Sequence, residues 1–198
     1  MALTSTKQTY DLLSKQKDHL KQYNQIIQDQ LNLEFIEKVD QPIVTKNTHY
    51  LPHLRVIKDS PTTPVRMVFD CSAHAHKGGV SLNDCLMKGP SLVEKLGKML
   101  LKFRTNRFAF TSDISKAFLR IGLQSEDRDY TRFLWPSDLN NFRSPLETFR
   151  FKSVLFGATS SPFLLQATIQ HNLSTKYKDN EFYSILKDSL MLMIFKEQ

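Results

Sequence analysis

A chain of 198 residues with 40% hydrophobic and 24% charged side chains holds enough apolar material for one packed domain, which excludes a disordered or low-complexity polypeptide. Lysine and arginine number 27 against 20 aspartate and glutamate; the resulting charge of +7 mildly favours a polyanionic partner such as nucleic acid and says nothing of fold. Two cysteines, Cys71 and Cys85, exclude a disulfide framework, and neither an apolar leader nor a run of about 18 apolar residues occurs, so the expectation is a soluble, intracellular protein without a membrane partner.

Residues 5 to about 38 are polar and rich in Lys and Gln, with Leu20, Tyr23, Ile27 and Leu31 at helical spacing, which predicts one or two amphipathic helices packed on their neighbours. "DQPIVTKNTH" breaks that pattern. Two strand-like runs follow, 50–58 and 65–70, joined by "DSPTTP", whose prolines and aspartate are turn formers; a hairpin is the simplest reading. After a loop through "CSAHAHKGG" and "VSLNDCLMKGP", Ser91 and Glu94 form a capping box. It opens a helix with Leu92, Leu96, Met99, Leu100 and Phe103 on one face. Next come a strand over 107–113, a short helical turn over 114–121, and strands over 130–135 and 146–156. A helix then starts at Ser160 or Ser161, with Pro162 in its first turn. Hairpins and helices alternate without a βαβ rhythm, so the expected class is α+β with an antiparallel sheet and packed helices.

Several residues have the chemistry of a site, each with a plainer reading beside it. Asp113 ends an aromatic-rich strand. It is a helix N-cap or, with carboxylate oxygens suited to hard cations, a magnesium ligand. Gly157, between an apolar strand and a helix, is either an ordinary connection or a point of close approach for a flat ligand such as a base pair. Lys58 and Arg66, on neighbouring hairpin strands, are solvated edge cations or partners of a triphosphate. Cys71, His74, His76 and Cys85 match no standard zinc spacing, and a loop with incidental Cys and His is the better reading.

Together, "VRMVFDCSA…SLNDCLMKGP", "TSDISKAFLRI", "DRDYTRFLW" and "FRFKSVLFGATSSPFLLQATIQHNL" resemble, in order and spacing, the reverse transcriptases of LTR retrotransposons, most closely those of the BEL/Pao type. The resemblance covers about residues 20 to 175. It implies a right-hand polymerase fold: an N-terminal helical arm (1–45), a fingers-like hairpin and helix (46–105), a partial palm (106–190) and a tail (191–198). It also implies that Lys58 and Arg66 contact the phosphates of an incoming deoxynucleotide. Asp113 would be the catalytic, metal-binding carboxylate of the palm. The Ile114 carbonyl would help hold the second ion, Ile114 and Ala117 would line the nucleotide site, and Phe118 would exclude a ribose 2′-hydroxyl. Phe156 and Gly157 would lie beside the nucleotide and templating base, and Ser161 and Pro162 beside template and primer. The implied cofactor is Mg²⁺, or Mn²⁺ in its place. The implied partners are an RNA or DNA template–primer and a dNTP, and the implied location is the cytoplasm, a retrotransposon particle or the nucleus.

The chain departs from that family where a tyrosine followed by an acid pair (Tyr-x-Asp-Asp, or Tyr-Val-Asp-Asn) is due. It reads "LKDSLMLMIFKEQ" there, so Asp113 stands without partners for a two-ion reaction, and Asp188 lacks the motif's surroundings. The codons of "MLMI" (191–194) offer an explanation. Shifted by one base, they are compatible with GTT-GAT-GAT, and a preceding T completes TAT, giving Tyr-Val-Asp-Asp. An insertion or deletion between about 175 and 190, or a misplaced splice junction, accounts for such an ending; the coding DNA tests it. The expectation is a fragment of an RNA-directed DNA polymerase, inactive as written. The alternatives are a nucleic-acid-binding remnant and a non-functional product.

Overall fold

The computed structural model describes residues 1–40, 43–45, 47–59, 64–92, 96–105, 107, 112–181 and 183–189. Two helices open the chain, α1 (Ala2–Leu13) and α2 (Lys17–Asn32). The predicted seam of α2 is present: Leu20, Tyr23 and Ile27 are buried and Leu31 packs against them. The helical segment stops earlier than expected, because Ile36–Lys38 forms a short strand, β1. The helix ends in a Schellman arrangement, with Phe35 N–H donating to Gln30 O and Glu34 N–H to Leu31 O. Glu34 takes the left-handed position there, at φ 57°.

The hairpin is where the turn formers place it. β2 (His53–Ile57) and β3 (Val65–Phe69) pair antiparallel, His53 opposite Phe69 and Ile57 opposite Val65. A second, three-stranded antiparallel sheet has the order β1–β5–β4, with β4 at Phe133–Pro136 and β5 at Leu146–Phe151. Both later strands are shorter than their apolar runs suggest: a 3₁₀ turn occupies Arg128–Thr131, and beyond Phe151 the chain pairs with 121–123 instead. The two sheets join where 49–51 runs parallel to 129–132, with Leu51 N–H on Arg132 O at 2.7 Å and Arg132 N–H on His49 O at 3.2 Å.

One core serves all these elements. Trp135, Tyr23, Phe133, Phe149 and Phe151 are fully buried in it, with Leu13, Ile27 and Leu51 around them. The polar centre of this core is His53. Its Nε2 lies 2.9 Å from Leu134 O and its Nδ1 2.7 Å from the Tyr23 hydroxyl. A carbonyl only accepts, so Nε2 carries the proton and Nδ1 accepts from Tyr23. The Thr6 hydroxyl, which donates to Ala2 O, also lies within reach of Nε2, and Ser5 and Thr9 on the same helix face donate to the His53 carbonyl. Burial accordingly pushes the imidazole pKa down to about 4, and it is neutral at physiological pH.

The later helices are α3 (Leu96–Arg104), α4 (Ser161–Lys176) and α5 (Tyr183–Ser189). Helix α4 starts as predicted, with Ser160 at the N-cap and Pro162 in the first turn. On α3, Leu100 is exposed, so the expected apolar face does not bury it; Glu94 lies outside the described residues. The chain is thus α+β with antiparallel sheets. No helix among the described residues is long and apolar enough to cross a membrane.

Candidate nucleotide and nucleic-acid site

The hairpin presents its two cations near its turn. Lys58 N–H donates to Pro64 O at 2.9 Å, closing the turn, and Arg66 sits opposite Val56; both side chains are half-buried. Three residues on, roughly 10 Å along the strand, β3 ends at Phe69. There the chain approaches Gly157. A β-carbon on that glycine would lie 2.9 Å from the Phe69 carbonyl oxygen, and its φ of +95° is one that other residues rarely take. Both constraints call for glycine and fit the plainer sequence reading, an ordinary connection; the neighbour is the chain's own backbone.

Asn83 holds this junction together. Its Nδ2 donates to Ser72 Oγ at 2.9 Å and to Gly157 O at 3.0 Å, and its Oδ1 accepts from Thr159 N–H at 2.8 Å. Its own N–H donates to Cys71 O at 2.9 Å. One side chain from "SLND" therefore ties the end of the hairpin to the loop before α4. Sequence reasoning noted the motif without assigning this residue a role; an amide with both ends used between two loops is recognisable only once those loops are adjacent.

Phe118 and Phe156 meet edge to face, with centroids 4.5 Å apart. Phe118 is buried on Val154 and Leu165, whereas Phe156 is exposed. Ser161 is buried and donates to Leu155 O at 2.7 Å, and Pro162 is half-buried in the first turn of α4. Ala117 immediately precedes the 3₁₀ turn Phe118–Arg120. Of the residues singled out from sequence, then, Phe118, Phe156, Gly157 and Ser161 are assembled around one junction with the end of β3.

Asp113 and Ile114 are both exposed on irregular backbone. The premise of a carboxylate buried at a strand end does not apply to Asp113, and residues 108–111 of the expected strand lie outside the described residues. Among the described residues no three His, Cys, Asp or Glu side chains converge to hold a metal ion. One exposed carboxylate does not fit a two-ion site, which needs several carboxylates around both ions. Residues 191–194 lie outside the described residues. Tyr177-Lys178-Asp179-Asn180 has the letters of Tyr-x-Asp-Asn. Its four residues are exposed in a turn after α4, with Asn180 N–H on Tyr177 O, and do not form a strand hairpin.

The cysteine and histidine loop divides likewise. Cys71 is buried, and desolvation pushes its thiol up to about 12, with nearby Asp70 adding to the shift; Cys85 is exposed. His74 pairs instead with Asp84, 3.0 Å away. The carboxylate of Asp84 is held below its ordinary range chiefly by the Ser81 backbone N–H, then by the Ser81 hydroxyl.

Behind the junction, "DRDYTRFLW" supplies a charge chain. Arg128 and Arg150 both contact Glu37, and Arg150 and the buried Arg132 both contact Asp129, at 2.7 to 3.4 Å. The Arg132 hydrogen bond, followed by that of Arg150, outweighs burial and holds Asp129 below its ordinary range. These charges fix the 3₁₀ turn to β1 and β5. The chain matches no protein-family model and no curated protein.

Proposed function

We propose that the chain is the fingers and part of the palm of an LTR-retrotransposon reverse transcriptase, and that in this form it binds nucleic acid without polymerising. The observation that supports this reading is the junction of four distant segments. The end of the β2–β3 hairpin, Asn83, Phe118 and the Phe156–Gly157 turn come together, and three of these, the hairpin, Phe118 and the Phe156–Gly157 turn, belong to segments that the sequence resemblance assigns to one nucleotide cleft. The hairpin supplies Lys58 and Arg66 for phosphates, and the exposed Phe156 offers a flat apolar surface to a base. The non-catalytic part of the reading rests on the donor set, since Asp113 alone cannot hold the two ions of nucleotidyl transfer.

The test is fluorescence anisotropy with a labelled RNA–DNA template–primer, alongside primer extension with Mg²⁺. Binding should weaken by roughly tenfold or more between 50 and 200 mM salt, as expected for two or more phosphate contacts. No incorporation should occur. Failure to bind at 50 mM salt, or binding indifferent to salt, overturns the nucleic-acid reading. Incorporation that disappears on Asp113→Ala overturns the non-catalytic one.

A further inference from the structure

On either side of Phe118 in the chain, two cations share one aromatic ring. Lys116 Nζ lies over the Phe35 ring at 5.8 Å from its centroid, and Arg120 Cζ at 5.5 Å, both within cation–π range. Phe35 is buried, whereas Lys116 and Arg120 are exposed. Neither cation has an acidic partner among the described residues. Glu34, which precedes Phe35 in the chain, is engaged by Lys152 at 3.2 Å.

Covering Phe35 explains the aliphatic stems of these side chains, but not the choice of charged ends. Two apolar residues would cover the ring without bringing like charges together. The backbone adds a second observation. Lys116 adopts φ 54°. A left-handed non-glycine residue costs on the order of 1–2 kcal/mol, and such strain concentrates at functional positions. The strained backbone at Lys116 belongs to the turn that carries its ammonium to the ring already occupied by Arg120. The placement is anchored, because the Phe35 carbonyl accepts Lys152 N–H at 2.8 Å and the Ser153 hydroxyl at 3.1 Å.

We infer that Lys116 and Arg120, preorganised on Phe35, form a binding site for phosphate esters, which a nucleic-acid backbone occupies. A lysine point charge beside an arginine fork suits a phosphodiester, and the ring holds both without neutralising them. The identity of the ligand rests on the nucleic-acid reading above; the anion site itself does not.

The experiment compares the unmodified chain with K116Q/R120Q and with K17Q/K21Q. The latter removes the same charge from α2, and thermal melts check that each variant is folded. Each is titrated with a labelled oligo-dT strand across a salt series and, separately, with inorganic tripolyphosphate. K116Q/R120Q should lower the slope of log affinity against log salt by about 0.7, the value for one single-strand phosphate contact, and K17Q/K21Q should leave it nearly unchanged. Loss confined to the oligonucleotide identifies a backbone phosphate; loss of tripolyphosphate affinity identifies a free triphosphate as a further occupant of the same site. Equal losses in both variants, or no loss with either ligand, overturn the site. If the unmodified chain binds no oligonucleotide, the proposed function fails, while reduced tripolyphosphate binding by K116Q/R120Q would still support the anion site.

Discussion

The surroundings of His53 and those of Asp113 are built on opposite terms. Around His53, both ring nitrogens and the carbonyl have partners, drawn from α1, α2 and β4, inside an aromatic shell that excludes water. Around Asp113 the chain is exposed, and three residues later it takes a left-handed turn at Lys116. A polar group in the first setting is held by structure and is costly to disturb. A polar group in the second is held by little and is open to a ligand. A histidine and a carboxylate, both ordinary candidates for chemistry in a sequence, thus have opposite uses here: His53 is a structural hub, and Asp113 contributes little to the fold.

The largest contrast should appear on truncation. Phe133→Ala, at the centre of the aromatic shell, should lower stability by about 3–5 kcal/mol, whereas Asp113→Ala should stay within about 0.5 kcal/mol, measured by urea denaturation. Comparable losses would show that the 112–114 segment is packed as tightly as the core.

Protonation tests the His53 side alone. Its folded pKa is about 4 and its unfolded value about 6.5, so between those limits the unfolded chain binds a proton that the folded chain refuses. Stability should therefore be full above about pH 7, fall by about 3 kcal/mol as pH drops towards 4, and gain no further loss from this group below that. Half-buried His49, lowered by desolvation, acts in the same direction, so the slope should be measured in a His49→Gln background. A flat profile between pH 7 and 4 would contradict the buried neutral imidazole. Asp129 acts in the same direction in a lower window, because its depressed pKa adds stability that is lost only as pH falls further, through its folded value.

Gly157→Ala probes the border between the two regions. The positive φ and the 2.9 Å approach to Phe69 O should together cost about 1–3 kcal/mol. If the Gly157 turn also supports the nucleic-acid site, template–primer affinity should fall with stability; stability lost at constant affinity would separate them. The smallest effect is a gain. Lys116→Gly relieves the left-handed strain and should raise the urea midpoint by an amount worth up to about 1 kcal/mol, net of glycine's chain entropy. A loss there would mean that the contact with Phe35 outweighs the strain.

What could be read from the residues follows the same division. The hairpin was legible because two alternating runs flank a proline-rich turn, and α2 and α4 because helical spacing and an N-terminal proline are local signals. The strand β1 was not, since three residues carry no periodicity and its pairing with β5 lies more than a hundred positions away. Among the site residues, Gly157 announced its need for a special backbone. Asn83 could not, because its partners lie in two loops brought together only by the fold. Lys116 and Arg120 are two basic residues in a charged chain until Phe35 is placed beneath both.

The hydroxyl of Tyr10 donates to Leu139 O at 2.8 Å, across 129 positions of chain. At ribosomal speeds of about 5–20 residues per second, that acceptor is made roughly six to twenty-five seconds after the tyrosine. For most of that interval α1 and α2 can pack on β1, β2 and β3 but lack β4, whose Trp135 later meets Tyr10 and Tyr23. The chain therefore waits, half-made and sticky, far longer than a helix takes to form, and a holding chaperone has its opportunity then.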